Sequence, residues 1–175
     1  TMQTVADDRV FVAGDANGKE PILHVAKEQG YKAADNILAS AGLSDGDVEP
    51  YEHITHRVVF SGLAVYPYAR LGLTEDEARE QGIDYVTATR RAENDGVFKT
   101  KYVPHGLAKL IVDADDGTVL GYQGLHYHAD VMAKTLQVVI ENGMDVRDLP
   151  DRAYHPTTPE ILDAVIGETS EKVGR

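Results

Sequence analysis

The 175-residue chain contains no cysteine, so it holds no disulfide, no thiolate nucleophile and no cysteine-based metal site. Any redox thiol it works with has to come from elsewhere. No run approaches the ~20 uninterrupted apolar residues of a membrane span, and the N-terminal stretch lacks the basic-then-apolar layout of a signal peptide. A membrane is therefore not an expected partner, and a cytoplasmic location is the default expectation. Basic residues are scarce beside acidic ones, 17 against 29, which leaves a formal net charge of -12. That balance favours solubility and opposes tracking along a phosphate backbone, so nucleic acid is not an expected partner either. Low-complexity windows and internal repeats are also missing, which excludes the disordered class. What remains is a globular chain with room for one core and an appendage.

Arg9 to Ala13 is a short apolar run ending in Gly14-Asp15, the pattern of a buried strand meeting its loop. Pro21 suits the first turn of a helix, along which Ile22, Ala26, Ala33, Ala34, Ile37, Leu38 and Ala41 recur at helical spacing. Gly42 to Glu52, with Ser44-Asp45-Gly46-Asp47 and Pro50, reads as a polar connector. The expected organisation is thus a terminal strand and helix over 1–41, a connector over 42–52 and a second domain over 53–175.

In that second part His56 to Phe60, Asp84 to Ala92, Leu107 to Val112 and Thr118 to Tyr127 read as strands. The last two are joined by Asp115-Asp116-Gly117, a strong hairpin signal. Thr74-Glu75-Asp76-Glu77 is a capping box for a short helix through Gln81, ended by Gly82. Ala129 to Asn142 is apolar nearly all round, which predicts a helix buried against both the sheet and a partner, with Gly143 as its stop. Thr158 and Pro159 open a final helix with Ile161, Leu162, Val165 and Ile166 on one face, and the tail from Glu168 is expected to fray. The predicted fold class is α+β, an antiparallel sheet with flanking helices, preceded by one strand-helix unit of α/β type.

Two segments carry chemistry. At Gly14-Asp15 the glycine admits close approach of a ligand to the backbone, the carboxylate accepts from sugar or polyol hydroxyls, and the following helix offers unpaired amides to negative charge. Taken alone, Gly-Asp after a strand is as readily an ordinary turn. In Tyr154-His155-Pro156-Thr157-Thr158-Pro159-Glu160 the prolines stiffen a loop, and Glu160 lies within reach of the His155 imidazole, the shape of a positioned acid/base pair. The bland alternative is a loop histidine beside a glutamate that serves only the helix dipole. His126-x-His128 on a strand would place two imidazoles on one face, as metal ligands require, but no third ligand follows at motif spacing. A structural or interface role is the preferred reading, and no metal site is assigned. His53 and His56 read as solvated loop or strand-edge residues.

Taken together and in order, these segments resemble the C-terminal part of the dihydrolipoamide dehydrogenase, glutathione reductase and mercuric reductase family: the Val10 to Asp15 strand with its Pro-led helix, Leu71-Gly72-Leu73-Thr74-Glu75, the Asp116-Gly117 hairpin into Leu120-Gly121, the Ala129 helix and the closing His-Pro-Thr-x-x-Glu. The resemblance implies the end of an FAD-binding segment followed by a dimerisation domain, in a homodimeric enzyme passing electrons between NAD(P)H, FAD and a disulfide or dithiol substrate. It assigns FAD contacts to Gly14, Asp15, Ile22, Leu23 and His24, and makes His155 and Glu160 the acid/base pair lent to the partner subunit. The redox cysteine pair, the Gly-rich dinucleotide loops and the NAD(P) domain that such enzymes carry upstream are absent, so a fragment is expected, inactive and without bound FAD by itself. Ser61 to Ala69 departs from the family's usual sequence and leaves the subfamily open. The rival readings are a stand-alone dimerisation or binding module, and a metal-dependent hydrolase using His126, His128 and Glu160.

Overall fold

Two units make up the chain, Thr1–His53 and Ile54–Arg175, and the computed structural model describes residues 1–59, 65–152 and 154–174 of them. In the first unit the predicted Arg9 to Ala13 strand does not form. Phe11 makes a single antiparallel bridge with Gln3, because no longer strand is available beside it to complete a ladder. Gly14–Asn17 is a turn of 3-10 helix, and helix α1 spans Leu23–Ser40, so that Pro21 lies just outside it. The face α1 turns inward is also not the predicted one. It buries Val25, Gln29, Ala33 and Asn36, positions one helical turn apart along one stripe, whereas Ile37 and Leu38 are nearly half exposed.

Gln29 and Asn36 are buried because each satisfies several polar groups at once. Gln29 Oε1 accepts from Gly14 N at 2.7 Å and from Asn17 Nδ2 at 2.6 Å. Asn36 Nδ2 donates to the carbonyls of Thr1 and Glu49, and Asn36 Oδ1 accepts from Glu49 N. At the end of the unit Tyr51 stacks on His53, which lies 2.8 Å from the buried Glu20. His53 is thus an exposed loop residue, as expected, whose ring is held against Glu20.

The second unit is an antiparallel sheet of β1 (His56–Val59), β2 (Tyr68–Gly72), β3 (Tyr85–Arg91), β4 (Gly106–Asp113) and β5 (Val119–His126), in the order β1-β2-β5-β4-β3. The β4-β5 hairpin closes as predicted, at Asp113 to Thr118. Strand β2 was not foreseen. Phe60, the predicted end of the first strand, and 61–64, part of the divergent Ser61 to Ala69 segment, fall outside the described residues. The predicted capping box is present at α2 (Glu75–Glu80): Glu77 N donates to Thr74 Oγ1 at 3.2 Å and Thr74 N to Glu77 Oε2 at 2.8 Å.

Alternate residues of the strands face a core formed with α4 (Ala129–Glu141) and α5 (Glu160–Val173). Ala69, Leu71, Leu110, Val112 and Tyr122 of the sheet meet Met132, Leu136, Ile161 and Val165 of the helices there. A short helix, α3 (Gly96–Thr100), adds Phe98, fully buried. Its N-cap Asp95 accepts from the amides of Val97 and Phe98. Each such buried Leu, Ile or Phe contributes about 1.5–3 kcal/mol relative to exposure.

Helix α4 carries apolar residues on both sides: Ala129, Met132, Ala133, Leu136 and Val139 are buried against the sheet, while Val131 and Val138 point outward. The predicted fraying from Glu168 is also corrected. Thr169 and Ser170 are fully buried, the Thr169 hydroxyl donates to Val165 O at 2.6 Å, and Lys172 Nζ donates to Thr87 O on β3. These contacts tie down the last turn of α5 more firmly than its polar composition indicates.

Candidate functional site

Helix α5 begins at Glu160, and the residues before it set the site. His155 Nδ1 lies 3.0 Å from Glu160 Oε2, while Glu160 Oε1 accepts from the backbone N–H of Thr157 at 2.6 Å. Both carboxylate oxygens are therefore in use, which fixes the plane of the carboxylate and with it the imidazole. These two hydrogen bonds, that of His155 foremost, hold the Glu160 carboxyl below its ordinary range. The His155 side chain is 77% exposed and that of Glu160 only 21%, so the base stands in solvent while its carboxylate is half sheltered behind it. With Nδ1 engaged, Nε2 is the nitrogen left to exchange a proton with a ligand. The structure thus brings together the two residues that the loop sequence singled out.

His155 and Glu160 form one side of an open cleft of about 730 Å³, with Arg90 of β3, the buried Asp95, Asp151 and Asp163 of α5 on the others. Arg90 Nη2 donates to Asn94 O at 2.6 Å. None of these four was singled out from sequence, since they come from four segments that meet only in the folded unit.

The predicted helix cap is not made. The Thr158 carbonyl accepts from Ile161 N, but its side chain makes no hydrogen bond to the first amides of α5, whose N-cap is Pro159. Its hydroxyl instead lies 3.3 Å from His128 Nδ1. His128 is not on a strand, as the His126-x-His128 reading required, because β5 ends at His126 and His128 is the N-cap of α4 with φ 66°. His126 is fully buried and both its ring nitrogens are occupied, Nε2 by Tyr122 OH at 2.6 Å and Nδ1 by Tyr127 O at 2.9 Å. A metal pair on this segment is excluded by that bonding, and no group of three or more potential metal ligands occurs among the described residues. His56, read as solvated, is buried.

In the first unit the residues assigned to a cofactor lie on consecutive turns. Gly14 is buried with φ 72°, a conformation that favours glycine, and a Cβ there would come within 3.2 Å of Ala26 Cβ on α1. Asp15 beside it is exposed. Ile22 is the N-cap of α1 and offers no side-chain cap, so the first amides of α1 are left to other acceptors; Leu23 and His24 are exposed beside them. An exposed carboxylate, an apolar side chain and amides without a side-chain cap are a donor and acceptor set chemically compatible with a polyhydroxylated ligand.

The model of the pyridine nucleotide-disulphide oxidoreductase dimerisation domain matches residues 55–166. The chain belongs to this family. Dihydrolipoyl dehydrogenase of Mycobacterium tuberculosis is 31% identical over 159 residues, covering 87% of the chain and 32% of the relative. That of Bacillus subtilis is 32% identical over 153 residues, covering 87% of the chain and 31% of the relative. The chain thus spans about a third of the length of the curated relatives it matches. Among solved structures, the HOCl-induced flavoprotein disulfide reductase RclA from Escherichia coli superposes with a TM-score of 0.73 at 23% identity, over 95% of the chain and 37% of that structure. LpdA from Mycobacterium tuberculosis gives 0.74 at 21% identity, over 99% of the chain and 35% of that structure. These likenesses establish the fold, the five-stranded antiparallel sheet with flanking helices of the dimerisation domain. No helix among the described residues is long and apolar enough to cross a membrane.

Proposed function

We infer that this segment serves an FAD-dependent NAD(P)H:disulfide or dithiol oxidoreductase, holding two subunits together and lending His155 and Glu160 to the active site of the partner. The observation that carries this reading is the His155–Glu160 contact of 3.0 Å in a loop whose imidazole stands exposed at a cleft. An imidazole buried in its own subunit would serve structure, whereas one held by a carboxylate and presented outward is placed to exchange a proton with a group that approaches from outside. His155 Nε2 takes the proton of a dithiol as the thiolate forms and returns it in the reverse direction, and Glu160 stabilises the imidazolium in between.

Homodimerisation is supported by the family and by exposed apolar residues on the face of the sheet turned away from α4 and α5. Val59, Tyr68, Leu125 and Leu107 are successive cross-strand neighbours there, opposite the helices, and Val59 and Leu125 are about half exposed. Outward-facing Val131 and Val138 add apolar surface on α4. In the first unit, Asp15 would accept from a ribitol hydroxyl of FAD, and Gly14, Ile22, Leu23 and His24 would bring the start of α1 to the flavin. FAD, when bound, supplies the electron transfer, and NAD(P) would be held by a domain outside this segment.

The test is His155→Gln in the full-length oxidoreductase, with the two half-reactions followed separately by stopped flow. Glutamine keeps some hydrogen bonding but cannot exchange the proton. The dithiol half-reaction is expected to slow by about 10²- to 10⁴-fold, with flavin reduction by the nicotinamide cofactor nearly unchanged and Glu160→Gln giving a smaller loss of the same kind. Equal losses in both half-reactions, or none in the dithiol step, would show His155 to be a structural loop residue.

A further inference from the structure

His128 stands in an unfavourable backbone conformation for a reason that its own helix does not supply. At φ 66° and ψ 20° it is in the left-handed region, which a residue with a Cβ adopts at a cost. Its side chain makes no capping hydrogen bond to α4. What the conformation achieves is to aim the imidazole at the loop before α5, where Nδ1 meets Thr158 Oγ1, three residues after His155 and two before Glu160. Thr158 is itself buried, so this contact lies beneath the loop while His155 lies on top of it.

The other end of the arrangement is fixed in the core. Tyr122 and His126 are four residues apart on β5 and share its inner face. Their hydrogen bond of 2.6 Å needs the glycine between them, since a Cβ on Gly124 would fall 2.2 Å from the Tyr122 hydroxyl. His126 Nδ1 then donates to Tyr127 O, and the Tyr127 ring stacks on His128 with centroids 3.8 Å apart. The stack on Tyr127 and the Thr158 contact restrain the half-buried His128 ring.

We propose that His128 is a positioning residue for the acid/base pair: braced by Tyr127 and the buried Tyr122–His126 bond, it holds Thr158 from below and so fixes the loop on which His155 meets Glu160. The geometric consequence is a bias in His155 itself. Nδ1 carries the proton toward Glu160 and Nε2 faces outward, and the bias weakens when the loop is released. The functional meaning of that bias rests on the acid/base reading above, but the bias is measurable without turnover.

The experiment is to read the neutral tautomers of His155 from imidazole ¹⁵N shifts in the 175-residue chain and in His128→Gly, Thr158→Val and Thr158→Ser. Glycine suits the backbone at 128, so His128→Gly is expected to melt no lower than the parent chain while its Nδ1–H to Nε2–H ratio falls about 3- to 10-fold, the worth of one net hydrogen bond. Thr158→Val should show the same fall and Thr158→Ser should retain the parent ratio. A parent-like ratio in Thr158→Val with native circular dichroism overturns the proposal, as does a serine variant indistinguishable from the valine one. If His128→Gly fails to fold, the valine and serine pair decides alone. Should His155→Gln leave the dithiol step of the full enzyme intact, the catalytic reading falls while the tautomer result stands, so the two failures are separable.

Discussion

The two units handle burial in opposite ways. Ile54–Arg175 encloses a continuous apolar core between sheet and helices, with Leu110, Tyr122, Phe98 and Ile161 fully removed from water. Thr1–His53 buries only Met2, Val25 and Ala33 among its apolar residues and relies on buried Glu20, Gln29 and Asn36, while Val5, Leu23, Tyr31 and Leu43 are largely exposed. One unit is held by the hydrophobic effect and the other leans on a few buried polar residues paired with backbone and side-chain groups. The difference teaches that the second unit carries an apolar core of its own, whereas the first has little apolar interior and depends on polar contacts.

The sharpest test of that contrast is Leu110→Ala. It is expected to destabilise the second unit by about 2–5 kcal/mol in denaturant unfolding, because the tightly enclosed site has no way to collapse onto the cavity. Next comes Gln29→Ala, which leaves Gly14 N–H and the Asn17 amide without their acceptor. A loss of about 1–3 kcal/mol is expected, confined to hydrogen exchange in the first unit; a matching loss in the sheet would erase the distinction between the units.

Acid should separate them more gently. Burial lowers the His126 pKa below the ordinary 6.5, so the folded state binds its proton less readily than the unfolded chain. The stabilisation this represents is complete above 6.5 and is lost as pH falls from there toward the depressed folded value, with a slope of up to about 1.4 kcal/mol per pH unit. Acid titration of the unfolding midpoint should show that slope, and His126→Gln should flatten it. The smallest effect belongs to Leu23→Ala, where the residue is 74% exposed: within about 0.5 kcal/mol, read from denaturant unfolding. A larger loss would mean that Leu23 is covered in solution.

What was legible in the sequence follows the same division. In the second unit the alternating strands, the Asp-Gly hairpin and the Thr74–Glu77 capping box were readable because local chemistry and tertiary setting agree there. The His155–Glu160 contact is within reach by spacing in a proline-stiffened loop, but spacing alone leaves the helix-dipole reading open, and the family resemblance is what singles the pair out. Strand β2 was missed because Tyr68–Gly72 carries an arginine and a glycine among its five residues and has no clean alternation. The inward face of α1 was misread since periodicity marks Ile37 and Leu38, while hydrogen-bonding partners distant in sequence decide for Gln29 and Asn36. Nor does any local rule foretell that Thr158, an apt helix cap, is taken by a histidine thirty residues earlier.

The packing of α5 also sets the order in which this segment acquires its parts. Helix α5 covers β3 and β4, strands some sixty residues earlier in the chain, and Lys172 near its end reaches back to Thr87. Contacts of such long sequence separation form late. During synthesis the strands therefore leave the ribosome before the helix that covers part of their inner face, and the loop bearing His155 lacks its Glu160 contacts until α5 follows. A nascent chain stalled before residue 160 is the species on which chaperones have most to hold.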